Sequence, residues 1–155
     1  MNKQDDTVKT AISRLAAECS KAEHSTGEMC DKMRRWEMSE EQQAQVISYL
    51  IEKRYVDDER FARLFIQDKI RFNRWGPKKI EQALWMKHVD ERVYREQLEA
   101  VSDEQWQEAL QPLLESKRKS IHASSPYELR AKLIRYAMGR GFTMDQIQQC
   151  LSCDE

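Results

Sequence analysis

Apolar positions recur along this chain with the period of an α-helix, and the pattern stops and restarts at regular places. Val8, Ala11, Ile12, Leu15, Ala16 and Cys19 share one face of a helix that begins near Thr7. Ser25-Thr26-Gly27-Glu28 reads as a capping box, in which the Ser hydroxyl accepts from the third amide and the Glu reaches back. The helix it opens buries Met29 and Met33, with Trp36 at the margin of that face. Ser39-Glu40-Glu41-Gln42 is a second box, opening a helix with Val46, Ile47 and Leu50 inward that ends near Lys53. In the centre, Asp57 or Asp58 caps a helix whose inner face is Phe61, Ala62, Phe65, Ile66 and Ile70. Tyr55 and Phe61 are expected in the core. Trp75-Gly76-Pro77 ends that helix and opens another, since Pro at a first helical position lacks only an N–H that has no partner anyway. Ile80, Ala83 and Leu84 face inward there. Val89-Asp90 starts a further helix carrying Tyr94, Leu98 and Val101.

The last third repeats the scheme. Ser102-Asp103-Glu104-Gln105 is a capping box before Trp106, Ala109, Leu110, Leu113 and Leu114. Pro112 falls inside that pattern, and an interior Pro costs about 3 kcal/mol, which predicts a kink or a helix starting only near Gln111. Ser125-Pro126-Tyr127-Glu128 combines a capping box with Pro at the first helical position, followed by Leu129, Leu133, Tyr136 and Ala137. Gly139-Arg140-Gly141-Phe142 is a stop, and Thr143-Met144-Asp145-Gln146 caps a final helix with Ile147, Cys150 and Leu151 inward.

These segments form one unit written three times. Ser25 and Ser39 are 14 residues apart, as are Gly76 and Asp90, while Ser125 and Thr143 are 18 apart. The extra four residues are close to one helical turn, so they lengthen the helix without rotating its buried face. Ser25-x-x-Glu28-Met29-x-x-Lys32-Met33 and Ser125-x-x-Glu128-Leu129-x-x-Lys132-Leu133 are near copies. The expected fold is all-α: three tandem three-helix, helix-turn-helix-like repeats over residues 7–53, 54–101 and 102–152. Because each repeat mainly contacts its neighbours, they are expected to form an elongated, curved array.

Composition agrees with this reading: 34% charged, 40% hydrophobic, four Gly and three Pro in 155 residues describe a water-exposed, helix-rich chain. No apolar run reaches the length needed to cross a bilayer, and Met1-Asn2-Lys3-Gln4-Asp5-Asp6 lacks a signal-peptide layout. A cytoplasmic protein with reduced thiols is expected. The formal net charge is only −1, but the charges are banded. Residues 69–95 hold eight cations and three anions, residues 96–115 six anions and no cation, and residues 117–140 seven cations and one anion. Such bands usually mark solvated helix faces, yet two basic bands are also suited to face a polyanion.

Tyr55-Val56-Asp57-Asp58-x-x-Phe61-Ala62, followed by Gly76-Pro77-x-x-Ile80-x-x-x-Leu84-x-x-Lys87-x-Val89, resembles the RecX family, with landmarks in order at the family's spacing. Ser25-x-x-Glu28 and Arg140-Gly141-Phe142 fit the flanking repeats, so the likeness runs from about Ala11 to Leu151. Where the family has a Lys-Gly turn this chain has Lys87-His88. His tolerates left-handed backbone better than most residues, so the turn is expected to survive.

The resemblance implies a regulator without covalent chemistry. Such proteins lie in the groove of the RecA filament on single-stranded DNA and lower its ATPase, strand-exchange and co-protease output, in homologous recombination, DNA repair and the SOS response. It implies the RecA filament as partner, weak direct binding to DNA, a monomer, no cofactor and no membrane. Contact residues expected from charge and position are Lys69, Arg71, Arg74, Lys78, Lys79 and Lys87. A second set is Lys117, Arg118, Lys119, Arg130, Lys132 and Arg135.

Other chemistry reads weakly. Asp57 and Asp58 are a carboxylate pair, but helix capping explains both. Cys19, Cys30, Cys150 and Cys153 with His24, His88 and His122 do not offer the four convergent ligands of a zinc site. Trp75, beside Arg74, is the best candidate for stacking on a base. No phosphate loop or nucleophile motif is present, so no catalytic residue is assigned. The rival readings are a stand-alone helix-turn-helix DNA-binding protein, with Lys78 to Lys87 in the major groove, and a helical scaffold with no nucleic-acid role.

Overall fold

The structure is a computed structural model that describes residues 3–152. These form nine α-helices and no strand: α1 Lys3–Cys19, α2 Thr26–Arg35, α3 Glu40–Glu52, α4 Asp58–Asp68, α5 Pro77–Met86, α6 Glu91–Glu99, α7 Asp103–Ser120, α8 Pro126–Gly139 and α9 Met144–Ser152. A π-helical turn, Lys69–Asn73, continues α4. None of the helices is long and apolar enough to cross a membrane.

The helix starts follow the capping residues. Ser25, Ser39 and Ser102 each accept from the third amide while Glu28, Gln42 or Gln105 returns to the Ser N–H. Ser125 makes only half of the expected box: it accepts from Glu128 N–H, but the Glu128 carboxylate takes the N–H and hydroxyl of Ser124 instead. Asp57 caps α4 by accepting from Arg60 N–H at 3.1 Å. Four helices end on a left-handed residue: Glu37 (φ 58°), Arg54 (φ 61°), His88 (φ 61°) and Gly141 (φ 96°). In each, the next N–H reaches back across the turn: Met38 to Met33 O, Tyr55 to Leu50 O, Val89 to Leu84 O and Phe142 to Ala137 O. His88 thus takes the conformation a Gly would supply. Met38, Val89 and Phe142, the residues just after three of these turns, are buried and anchor them. Tyr55 holds the fourth such place, but it is 39% exposed and the neighbouring Val56 is buried instead. The expectation of a core Tyr55 therefore fails, because its position is fixed through its backbone and not its ring.

Two compact units make up the chain. The first takes the chain up to Arg63 together with Leu84–Tyr94; the second takes Leu64–Ala83 together with the chain from Arg95 onward. In the first, α1 and α2 pack on α3, and Ala11, Leu15, Met29, Met33, Met38, Val46, Leu50 and Val56 form one buried cluster. The start of α2 is held from two sides. Asp58 accepts from Thr26 N–H (2.8 Å) and the Thr26 hydroxyl (2.7 Å), and the Ser25 hydroxyl donates to Lys87 O (3.1 Å). A Cβ on Gly27 would fall 2.6 Å from Lys87 O and the His88 Cβ, so the α5 turn docks against bare backbone.

The second unit repeats that arrangement. Gly76 N–H donates to Arg140 O (2.8 Å) and Lys78 N–H to Gly141 O (3.0 Å), so the start of α5 docks on the turn that ends α8. A Cβ on Gly76 would fall 2.3 Å from Gly141 C and Phe142 N. Around it α7, α8 and α9 pack pairwise, burying Trp106, Leu110, Leu114, Leu133, Ala137, Ile147 and Leu151.

Helix α7 runs unbroken from Asp103 to Ser120 with Pro112 inside it. The helix therefore begins at its capping box, and the expected start near Gln111 is wrong. Pro112 is exposed, so its ring meets solvent. The carbonyl deprived of a partner by a Pro is the one four residues earlier, here Glu108. Its oxygen accepts from the Arg74 guanidinium at 3.3 Å, and Ala109 O lies 3.5 Å from the same nitrogen. A residue from outside the helix thus replaces the missing donor.

Candidate nucleic-acid interface

The basic segment between α4 and α5 is built by a change of helical pitch. After Asp68, the Lys69–Asn73 turn is π-helical and closes on Arg74, which is left-handed (φ 52°, ψ 50°). Trp75 N–H returns to Lys69 O at 3.1 Å. This closure sets the Lys69 ammonium 5.0 Å from the Trp75 ring centre, and α5 brings Lys79 to 4.9 Å of the same ring. Lys69 also lies 5.2 Å from the Phe65 ring. A cation above an aromatic face is attracted by the ring quadrupole, so the half-buried indole gathers the two ammonium groups. Arg71 lies 5.5 Å from the Phe72 ring centre. Phe72 itself is 72% exposed.

From Lys69 to Ile80 there are five cations and no carboxylate. The first acid beyond, Glu81, faces Arg95 at 3.3 Å. Lys69, Lys79 and Trp75 are therefore brought together, with Arg71 and Lys78 exposed on the same short segment. Arg74 is turned to the α7 carbonyls described above. Arg140, from the α8 turn, donates to Asn73 O and fixes the end of the π-helical turn. Lys87 belongs to the other unit, where it pairs with Glu28 at 3.7 Å.

The second basic set is more dispersed. Lys117, Arg118 and Lys119 lie in the last turn of α7, where cations complement the helix dipole. Lys117 sits 4.8 Å from the Tyr136 ring centre. On α8, Lys132 bridges to Glu128 (2.9 Å) and donates to His122 O (2.8 Å). Hydrogen bonds from Ser124, then Lys132, hold the Glu128 carboxyl down at about 2. Arg130 and Arg135 lie on the same helix, the first half-buried and the second exposed.

The remaining candidates are tied into the fold. Asp57 and Asp58 cap α4 and clamp α2 respectively, which leaves neither carboxylate placed as a catalytic pair. Cys19 and Cys30 are half-buried thiols, and burial pushes both up from the ordinary value. Cys150 is buried and Cys153 lies outside the described residues. Among the described residues, no three His, Cys, Asp or Glu side chains converge to hold a metal ion. Charge and spacing located the basic segment but did not single out Phe72; a Phe flanked by Arg71 and Asn73 at the end of an apolar periodicity was the available signal.

Residues 57–98 match the family model described as RecX, second three-helix domain, and residues 103–151 match RecX, third three-helix domain. The regulatory protein RecX of Lactobacillus johnsonii is 34% identical over 108 residues, 70% of this chain and 40% of that protein. Its counterpart in Oceanobacillus iheyensis is 29% identical over 150 residues, 94% of this chain and 55% of that protein. The chain thus spans about half the length of the curated relatives it matches. Among solved structures, RecX from Lactobacillus salivarius superposes with a TM-score of 0.86 at 21% identity, over 96% of both chains. A second structure, of a regulatory protein RecX, gives 0.87 at 17% identity, over 98% of this chain and 80% of that one.

Proposed function

We infer the function from one premise: the chain belongs to the RecX family. We propose that it is a non-enzymatic regulator that binds the RecA filament on single-stranded DNA and lowers its ATPase, strand-exchange and co-protease output. In this reading residues 7–53, 54–101 and 102–152 are three tandem repeats, and the protein acts in the cytoplasm during recombination and DNA repair. Regulation of this kind needs no reacting group. It needs a surface whose free energy of binding differs between filament states.

The observation that carries the reading is the carboxylate-free segment from Lys69 to Ile80 within a member of this family. Cations that neutralise phosphates release condensed counterions, so such a surface binds polyanions in a salt-dependent way. The capped, self-satisfied helices hold that surface in place, so little ordering cost remains at binding. The four extra residues of the third repeat leave its buried face in register and support reading the chain as a repeated docking module.

The test is charge reversal at two exposed positions, Arg71→Glu with Lys78→Glu. Lys87 is left intact because it pairs with Glu28. The double variant should keep wild-type helicity by circular dichroism and lose at least ten-fold in affinity for the RecA–single-stranded DNA filament near physiological salt. Unchanged filament affinity removes this segment from the interface. Tight, sequence-selective binding to naked duplex without any effect on the filament would favour a stand-alone DNA-binding protein.

A further inference from the structure

Phe72 is out of place for an aromatic residue at the end of an amphipathic helix. In an unbroken α-helix it would follow Phe65 by seven residues and point within about 20° of it. Phe65 is half-buried, whereas Phe72 is 72% exposed. The difference arises in the π-helical turn Lys69–Asn73. An i→i+5 turn takes more residues to complete a revolution than an α-turn, so the side chains within it are rotated away from the face they would otherwise share. The turn is held at its C-terminal end: Arg74 closes it in left-handed backbone, and the Arg140 guanidinium donates to Asn73 O. The ring is thus presented to solvent by a fixed backbone device.

We propose that Phe72 is a stacking platform for a base of single-stranded nucleic acid, with the neighbouring cations on the flanking phosphates. This rests on the reading of the chain as a protein that meets a DNA-bearing filament, and it names the residue that meets the bases. The surroundings favour nucleic acid over an apolar protein pocket. Five cations and no carboxylate occupy Lys69 to Ile80. Arg71 lies over the Phe72 ring, 5.5 Å from its centre, and provides a guanidinium for a phosphate or a base plane stacked on the other face. Trp75, the aromatic expected for this role from the sequence, is instead half-buried with two ammonium groups about its ring, at 5.0 and 4.9 Å. It positions lysines, and Phe72, with one cation over its ring and 72% exposed, is the more accessible ring.

Stacking is sequence-tolerant but needs bases, which separates it from phosphate binding. The experiment measures anisotropy of a labelled oligothymidylate and of an abasic oligonucleotide of equal length and charge. Wild type, Phe72→Ala, Phe72→Trp and Arg71→Glu are compared by salt titration. Wild type should prefer the base-bearing strand by roughly ten-fold, the scale of one stacked base. Phe72→Ala should abolish that preference while keeping the salt slope, and Phe72→Trp should restore it. Arg71→Glu should weaken both strands and reduce the slope. Equal wild-type affinity for the two strands, or a Phe72→Ala variant that keeps the preference, overturns the proposal. So does a Phe72→Ala variant that loses affinity only for DNA-free recombinase, which would assign the ring to a protein pocket. The same preparation is added to the filament ATPase assay: base preference without any filament effect leaves the Phe72 assignment standing and fails the proposed function.

Discussion

Replacing Gly76 by Ala tests the docking that builds the second unit. The added Cβ would sit 2.3 Å from Gly141 C and Phe142 N and 2.4 Å from Gly141 O, all of them backbone. No side-chain rotation can relieve the clash, so either strain is retained or the α8 turn retreats. Retained overpacking costs about 1–3 kcal/mol. Retreat gives up the Gly76 N–H to Arg140 O and Lys78 N–H to Gly141 O bonds, worth about 1 kcal/mol each. Gly76 is not among the positive-φ residues, so Ala is conformationally allowed and regains about 0.4–1 kcal/mol by restricting the unfolded chain. The net expectation is a loss of about 1–2 kcal/mol, combining the overpacking and entropy terms. Gly139 is the matched control: a Cβ there meets nothing within 4 Å, so Gly139→Ala should leave stability unchanged or raise it by up to about 1 kcal/mol. Urea unfolding followed by Trp fluorescence, with Trp106 buried in this unit, reads both. Gly76→Ala as stable as wild type, or both variants shifting in the same direction, would refute the argument that close backbone approach at Gly76 holds the unit together.

Three further outcomes follow from the geometry. Asp58→Ala removes the acceptor for Thr26 N–H and its hydroxyl; it should cost about 1–3 kcal/mol by leaving donors unmet, and Asp58→Asn should recover part of it in the same urea titration. Arg74→Ala should destabilise the wild-type chain more than it does a Pro112→Ala chain, because the Pro112→Ala substitution restores a backbone N–H donor to Glu108 O; a double-mutant cycle should give coupling of about 1 kcal/mol, and zero coupling would contradict the pairing. The Glu128 carboxyl is held at about 2 against an ordinary 4.5, so its contribution is complete above about pH 4.5 and fades as pH falls toward 2; thermal melts should separate wild type from Glu128→Gln at pH 7 and make them converge near pH 2.

Much of the fold was legible because helix starts are local. Ser25, Ser39 and Ser102 write their boxes within four residues, and the positions of Met29, Met33, Ile80, Leu84 and Leu133 give the buried face directly. What was not legible depended on residues distant in sequence. Pro112 reads as a breaker until Arg74, 38 positions earlier, is seen donating to Glu108 O. Asp58 reads as a second capping candidate until it is seen on Thr26. The basic segment was visible as composition, but the π-helical turn was not, since nothing in Lys69-Ile70-Arg71-Phe72-Asn73 departs from α-helical patterning. The exposure of Phe72 and the two ammonium groups about Trp75 became visible only with that turn.

The most direct test of the central claim is DNA-dependent ATP hydrolysis by the cognate RecA filament, with this protein titrated in at substoichiometric ratios. The rate should fall with the wild-type protein and fall little with the Arg71→Glu, Lys78→Glu variant. A rate that stays constant through equimolar wild-type protein would contradict it.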